Sequence, residues 1–515
     1  MTEHVSREAV DVEKARARVA GALDPAALEV AGHRVIDLLS QHFVRAQQSE
    51  GNVLNWRGPL ENIATAKGFT DRASEKDGAV ELTTEAIAGR VAELATQILA
   101  NGQTLHDPRY VGHQVPPPMP LAGLFDAIGS ITNQVMAIYE MGPWASSVEE
   151  AMVQTLGERI GYAKDTFAGF VTSGGSLANL TALLTARNVA MKQVWREGMR
   201  GAGDSAAGPV VITHSESHYC VARAVGILGI GTNNLLKCDL DKQHRMDPAA
   251  LDAMLTKLAR ERRPVIAVVA SACSTKYGAF DPLNDIADVC VNHGVWLHVD
   301  AAHGGAACMS HAHRHLVEGL DRADSVVWDA HKMLHVPALC TFVFYRNREH
   351  RFAAFEQDAP YLFDPSAPGI AEFDSGLKTV ECTKRAEAFG LWGLWSLFGP
   401  GLFADIVDVT FAMGQRFHRM LNEAEDFTPL HEPQCNIVVF RHVPQAWRAL
   451  SIERVGELQL ALRRRVIESG KYYLVPSKVE GIGALRVVIT NPLTNERHLE
   501  GLMNTLREEA ADMRV

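Results

Sequence analysis

The sequence predicts an α/β protein with a mostly parallel central sheet, and three observations carry that expectation. Between about residues 124 and 395, short β-rich runs alternate with helical ones, the pattern of strand–helix–strand units whose crossovers favour parallel pairing. Ahead of that region, residues 1–105 carry apolar positions at helical spacing. Behind it, from about 396, two strand-like runs sit between helices, as in a smaller α+β domain.

In chain order, LEVAGHRVIDLLSQHFVRA and TTEAIAGRVAELATQILA read as amphipathic helices with polar loops between them. The stretch HDPRYVGHQVPPPMPLAG at 106–123 breaks the pattern with Pro116, Pro117 and Pro118 and marks a boundary. The runs FAGFVTS, PVVITH, VIAVVAS, VWLHVD, SVVWD and CTFVFYR then supply the strands of the large domain. NIVVFRH and ALRVVITN follow, and NERHLEGLMNTLREEA closes the chain as a helix. The domains expected are therefore a helical segment over 1–115, a large domain over 116–395 and a small one over 396–515. The Gly-, Ala- and Ser-rich stretch at 196–209 reads as an exposed loop.

Composition excludes several functions. Of 515 residues, 47% are hydrophobic, enough for a large buried core. Lys and Arg total 50 against 61 Asp and Glu, a formal charge of −11, and no basic run is present to track a nucleic-acid backbone. The eight cysteines show neither a C-x-x-C pair nor metal-ligand spacing, and the first twenty residues have no apolar signal core. Reduced thiols in the cytoplasm are the expectation. No run approaches the roughly 18 apolar residues that spanning a bilayer requires, so no membrane partner is expected.

Chemistry concentrates at the strand ends of the large domain. SVVWDAHKML at 325–334 runs a strand into a turn that presents Lys332 beside His331, where a pyridoxal-phosphate enzyme would hold its Schiff-base lysine. VTSGGSLANLTALLTAR at 171–187 is a strand end, a Gly-Gly-Ser turn and a helix. Such a helix start offers free N–H groups to an anion, so Gly175 and Ser176 suit a phosphate; equally, Ser176 serves as an N-cap. In WLHVDAAHGG, Asp300 follows an apolar strand, placed either to cap a helix or to pair with a protonated pyridine nitrogen. His218 precedes a helix, as a cap or a ring-stacking imidazole. Ser274 and Thr275 end another buried strand with hydroxyls for a phosphate or a turn. No G-x-G-x-x-G opens a helix after the first strand of the α/β region, which disfavours a dinucleotide-binding domain.

Taken together and in this order, SGGSLANL, SESHYCVARA, HVDAAHGG and DAHKML resemble the group II pyridoxal-phosphate decarboxylases, the family of glutamate, cysteine-sulfinate, diaminobutyrate and aromatic-amino-acid decarboxylases. FDSGLKTVECTKRAEAFGLW at 373–392 and ALRVVITNPLTNERHLEGL extend the resemblance, which covers about residues 100 to 510. It implies the aspartate-aminotransferase-like architecture called fold type I and a homodimer with active sites at the subunit interface. It also implies pyridoxal 5′-phosphate as cofactor and decarboxylation of an L-amino acid. Carried over by position, Lys332 bonds the cofactor, Asp300 binds its pyridine nitrogen, and His218 and Ala302 pack on its two faces. Gly175 and Ser176 hold its phosphate, and Ser274 and His331 lie beside it. Tyr361 in APYLF matches the mobile-loop tyrosine that protonates the product carbanion. A depressed Lys332 pKa is expected, because the return exchange of amines needs a neutral lysine.

The departures concern the substrate. Asp329-Ala330 stands where the family commonly has Asn-Pro, and Cys273-Ser274 where it has Gly-Thr. Lys384 occupies the position of an arginine that clamps the substrate carboxylate, with Arg385 beside it and Arg486 as a third candidate. Lysine lacks arginine's bidentate fork. His113, in RYVGHQ, falls where glutamate-type members have a polar amide. Cationic and dipolar groups favour an acidic substrate such as glutamate, aspartate or cysteine sulfinate. Diaminobutyrate or aromatic amino acids are the alternatives, followed by a transaminase or carbon–sulfur lyase, and then by a regulatory homologue without catalysis.

Overall fold

The computed structural model describes residues 11–74, 79–199, 208–356 and 368–513. The chain divides into two compact units. The first holds the described residues up to Tyr110 together with Leu462–Tyr473 and Gly501–Met513. Its helices include Pro25–Gln47 and Thr84–Asn101, which pack on each other. Asp24 caps the former by accepting from Ala26 N at 3.0 Å, and Thr83 caps the latter through Ala86 N at 3.3 Å. Each cap satisfies an N–H that the helix itself leaves open.

The second unit is built on a seven-stranded sheet. Its strands are β1 (Ala168–Thr172), β2 (Val210–His214), β3 (Leu235–Cys238), β4 (Val265–Ser271), β5 (Trp296–Asp300), β6 (Ser325–Asp329) and β7 (Thr341–Tyr345). Across the sheet the order is β3-β2-β4-β5-β6-β7-β1, and every pairing is parallel except the two made by β7. Val210–His214 and Ser325–Asp329 are buried at every position. Such strands read as continuous apolar runs because helices cover both faces of a parallel sheet. The expected α/β fold with a mostly parallel sheet is what forms.

A four-stranded antiparallel sheet completes this unit: β8 (Phe427–Pro429), β9 (Ile437–His442), β10 (Val475–Val479) and β11 (Ile482–Val488), in the order β8-β9-β11-β10. Ahead of it runs the helical stretch Phe389–Glu423, broken by the non-helical Gly399 next to Pro400. This stretch is long and apolar enough by composition to cross a membrane, a feature the residue count in the sequence did not flag. Its Phe403, Ile406, Val407 and Phe411 are nonetheless core residues. All eight cysteines are free thiols.

Candidate active site

Strand ends converge on one edge of the large sheet, the carboxyl edge where α/β proteins collect their ligand sites. β6 delivers Asp329 and then His331-Lys332, β5 delivers Asp300, and β4 runs on to Cys273 and Thr275. β1 leads into the Gly174-Gly175-Ser176 turn, and β2 exits toward His218. Lys332, Asp300, His218, Ala302, Gly175, Ser176 and His331 all line one pocket of about 210 Å3.

The glycine turn is shaped by close approach. Gly174 has a φ of +106°, which favours glycine, and a Cβ on Gly175 would lie 3.1 Å from both carboxylate oxygens of Asp329. Gly174, not Ser176, is the N-cap of the helix Gly175–Ala190, and no side chain caps it. Its first N–H groups and the positive dipole end are left to the pocket, which suits a phosphate.

Asp329 is held on both oxygens. Lys332 Nζ lies 2.9 Å from Oδ2, and the Thr341 hydroxyl donates to Oδ1 at 2.6 Å. Burial pushes the Asp329 carboxyl up, but Lys332, His331 and Thr341 outweigh it and leave the pKa lowered. Lys332 feels the converse: burial pulls its pKa down, and Asp329 with Asp300 more than restores it, so it ends raised. The depressed lysine pKa expected from the sequence is not what this arrangement produces, because two carboxylates face the ammonium. His218 caps the helix Tyr219–Ile227, its Nδ1 accepting from Cys220 N at 3.4 Å. Burial lowers its pKa, with Asp300 opposing. His331 is fixed through Nδ1 against the Cys340 backbone at 3.0 Å.

Four expected positions are corrected. Ser274 turns out of the pocket to close its own turn, its hydroxyl accepting from Ala279 N at 3.2 Å; Thr275 lines the wall in its place. His113 is exposed, and its neighbour Gln114 reaches the pocket. Lys384 is buried, its ammonium spent on both Glu149 oxygens and the Val171 carbonyl, each at 2.7 Å. Arg385 is exposed and donates to the Ser130 hydroxyl. Neither of these two cations lines the pocket. Arg486 on β11 is better placed: its Nη1 donates to the Thr275 carbonyl at 2.6 Å, while its Nε is buried without a partner among the described residues. Burial lowers its pKa to about 10. Tyr361 and residues 200–207 of the expected loop lie outside the described residues.

The structure also brings up residues that sequence reasoning passed over. His298 links β5 to the phosphate-turn helix, with Nε2 2.9 Å from Asn179 Oδ1 and Nδ1 2.9 Å from Ser325 Oγ. His303, three residues past Asp300, lines the pocket and bonds Asn436 at 2.9 Å. A histidine where AHGG follows the aspartate was the available signal for the second.

The pyridoxal-dependent decarboxylase conserved domain matches residues 81–443. The chain belongs to this family. It is a pyridoxal-phosphate-dependent amino-acid decarboxylase of fold type I. This decarboxylase is 30% identical to the human acidic amino acid decarboxylase GADL1 over 388 residues, 74% of this chain and 73% of that one. The mouse GADL1 is 29% identical over 393 residues, 74% and 70% of the two chains. The crystal structure of mouse CSAD superposes with a TM-score of 0.84 at 26% identity, covering 95% of this chain and 100% of that chain. A structure of Oryza sativa TDC with PLP and tryptamine shares the fold, with a TM-score of 0.83 at 21% identity over 95% of this chain and 99% of that chain. The decarboxylase pocket fits the cofactor: an uncapped helix start for the phosphate, a lysine just past the end of β6, and a carboxylate and an imidazole from β5 and from beyond β2.

Proposed function

We propose that this decarboxylase acts on an acidic L-amino acid, glutamate, aspartate or cysteine sulfinate, releasing CO2 and the amine. The observation that carries the reading is Arg486, a half-buried arginine bonded to the Thr275 carbonyl of the pocket wall, whose Nε is buried without a partner among the described residues. A buried donor without an acceptor is costly, and a substrate carboxylate or sulfinate supplies one in fork geometry. The acidic amino acid decarboxylases among its relatives support the same substrate class. Among the described residues the pocket wall carries no Phe, Tyr or Trp, which weighs against an aromatic substrate. A diaminobutyrate side chain would meet Arg486 as a like charge.

In this reading Lys332 would anchor the cofactor through its side-chain amine. Bound there, pyridoxal phosphate supplies the sink for the electron pair that CO2 leaves behind. The N–H groups of Gly175 and Ser176 would hold the phosphate, Asp300 would accept the pyridine N–H, and His218 and Ala302 would confine the ring. Arg486 would hold the substrate side chain and so orient the Cα–carboxylate bond for cleavage. Tyr361 delivers its phenolic proton to Cα, with His218 assisting. The reading includes a homodimer in the cytoplasm. Exposed Leu124, Ile128, Trp144, Leu397 and Phe398 support a covered apolar face.

The test is CO2 release by the cofactor-loaded protein across glutamate, aspartate, cysteine sulfinate, 2,4-diaminobutyrate and the aromatic amino acids. Release from the acidic group alone is expected. Release from an aromatic or cationic substrate would overturn the substrate class, and keto-acid without CO2 would overturn the reaction.

A further inference from the structure

Trp296, Ser325, His298 and Asn179 form a chain of hydrogen bonds that ends on the glycine turn. Trp296 Nε1 donates to the Ser325 hydroxyl at 2.9 Å, that hydroxyl lies 2.9 Å from His298 Nδ1, and His298 Nε2 lies 2.9 Å from Asn179 Oδ1. Asn179 Nδ2 then donates to the Gly175 carbonyl at 2.8 Å. The two ends fix the direction of every bond between them. An indole N–H only donates and a backbone carbonyl only accepts, so Asn179 presents its oxygen to the imidazole, the ring proton sits on Nε2, and Nδ1 accepts from Ser325. Ser325, His298 and Asn179 are buried, which makes an unmade bond in the chain costly. Burial lowers the pKa of His298 to about 4, with Asp300 and Ser325 opposing, so near neutral pH the imidazole keeps this uncharged form.

The carbonyl at the end of the chain shares one planar trans peptide with the Ser176 N–H. The two point in opposite directions, so holding one aims the other. Gly174 and Gly175 precede that N–H, and glycine restrains the backbone least. At the other end of the chain, His298 stands two residues before Asp300 on β5 and so on the same face of the sheet. We propose that His298 is a positioning residue for the cofactor phosphate: through the Asn179 amide it locks the Gly175–Ser176 peptide with its N–H toward the phosphate, and it ties that turn to the strand that carries Asp300. Both ends of the cofactor then meet one connected unit. The proposal rests on the reading in which Gly175 and Ser176 hold the phosphate and Asp300 the pyridine nitrogen.

The test is equilibrium titration of the full-length chain, stripped of cofactor, with pyridoxal phosphate and with pyridoxal, each followed by visible absorbance. Pyridoxal carries the same ring and aldehyde without the phosphate, so a fault in the phosphate grip alone spares it. His298→Asn keeps an oxygen near the Nδ1 position for Ser325 and gives up the Nε2 donor, whereas His298→Gln reaches as far as Nε2 and keeps a donor for Asn179. Expected in His298→Asn is a roughly tenfold rise in Kd for pyridoxal phosphate, the size of one buried hydrogen bond, with Kd for pyridoxal within about twofold of the parent. His298→Gln should stay within about threefold of the parent for both ligands. In an Asn179→Ala background, His298→Asn should add less than about twofold, because its route to the turn is gone. Asn179→Ala also stands in for His298→Asn should the latter not fold, since alanine suits a helix, and it should show the same selective loss. Equal losses for the two ligands, no loss for either, or additive losses in the double variant would overturn the proposal. A parent that binds pyridoxal as tightly as pyridoxal phosphate would sink the phosphate assignment itself, a failure distinct from that of His298.

Discussion

Lys332 Nζ and Asp329 Oδ2 stand 2.9 Å apart, with Thr341 bonded to the other carboxylate oxygen. An asparagine, which the family commonly has where Asp329 stands, would carry no charge to pair with Lys332. A raised lysine pKa adds stability fully present below its ordinary 10.5 and lost as pH rises through the folded value. A lowered aspartate pKa adds stability present above its ordinary 3.8 and lost as pH falls through the folded value. The pair thus holds across the middle of the scale and loosens at both ends. Asp329→Asn keeps an acceptor for Thr341 and removes the charge that holds the lysine protonated and repels a phosphate at Gly175. We expect cofactor capture to move to lower pH and cofactor affinity to rise by about tenfold, read by absorbance titration. An unmoved pH profile would show that Asp329 does not set the protonation of Lys332.

Lys384, buried, and Arg486, half-buried, separate two uses of a cation. Arg486→Ala is expected to raise KM for the acidic substrate by about a hundredfold, on the order of 3 kcal/mol for a lost charged hydrogen-bond pair, with the visible absorbance of the holoenzyme intact. Lys384→Met should instead leave KM alone and destabilise the fold by about 3–5 kcal/mol, because Glu149 would be buried unpaired. Denaturant unfolding and steady-state kinetics on both variants decide it. A KM effect from Lys384→Met would return the lysine to the substrate site.

Much of this arrangement was legible in the sequence because it follows the chain locally. The Gly174-Gly175-Ser176 turn, Asp300 and Lys332 each stand at or just beyond the end of an apolar strand, and parallel strands deliver such ends to one edge. What was not legible depended on segments far apart. Nothing near Lys384 announces that Glu149, more than two hundred positions earlier, takes its charge, and nothing near His303 announces Asn436. Between Ser274 and Thr275, and between His113 and Gln114, the uncertainty was one residue. Both pairs lie in bends or turns outside any strand, where the chain changes direction between neighbours, so a shift of one position exchanges the pocket for the turn or the solvent.

Tyr361→Phe removes the phenolic proton assigned to Cα and leaves the ring. Amine formation should slow by about a hundredfold, within the usual range for a general acid, while aldehyde or aminated cofactor accumulates. Product analysis by chromatography checks it. An unaltered product profile would remove Tyr361 from the proton transfer and leave His218 as the donor.

Glu387 ties the phosphate turn to pH. Its Oε1 accepts from the Ser173 hydroxyl at 2.8 Å, one residue before Gly174, while its Oε2 is buried without a partner among the described residues. Burial pushes the carboxyl from 4.5 to about 7, with Ser173 and Lys384 restraining it. An acid whose folded pKa lies above its unfolded one binds protons more tightly when folded. Its contribution is therefore greatest below about pH 4.5 and is lost as pH rises to about 7. At about 1.4 kcal/mol per pH unit, and discounted for partial solvent access, the swing is on the order of 2 kcal/mol. Glu387→Gln keeps an acceptor for Ser173 and removes the charge. Its unfolding free energy should match the parent near pH 4 and exceed it by about 2 kcal/mol at pH 8. Equal stability at both pH values would mean that the ionised carboxylate finds compensation in the folded protein, and that the turn is insulated from pH.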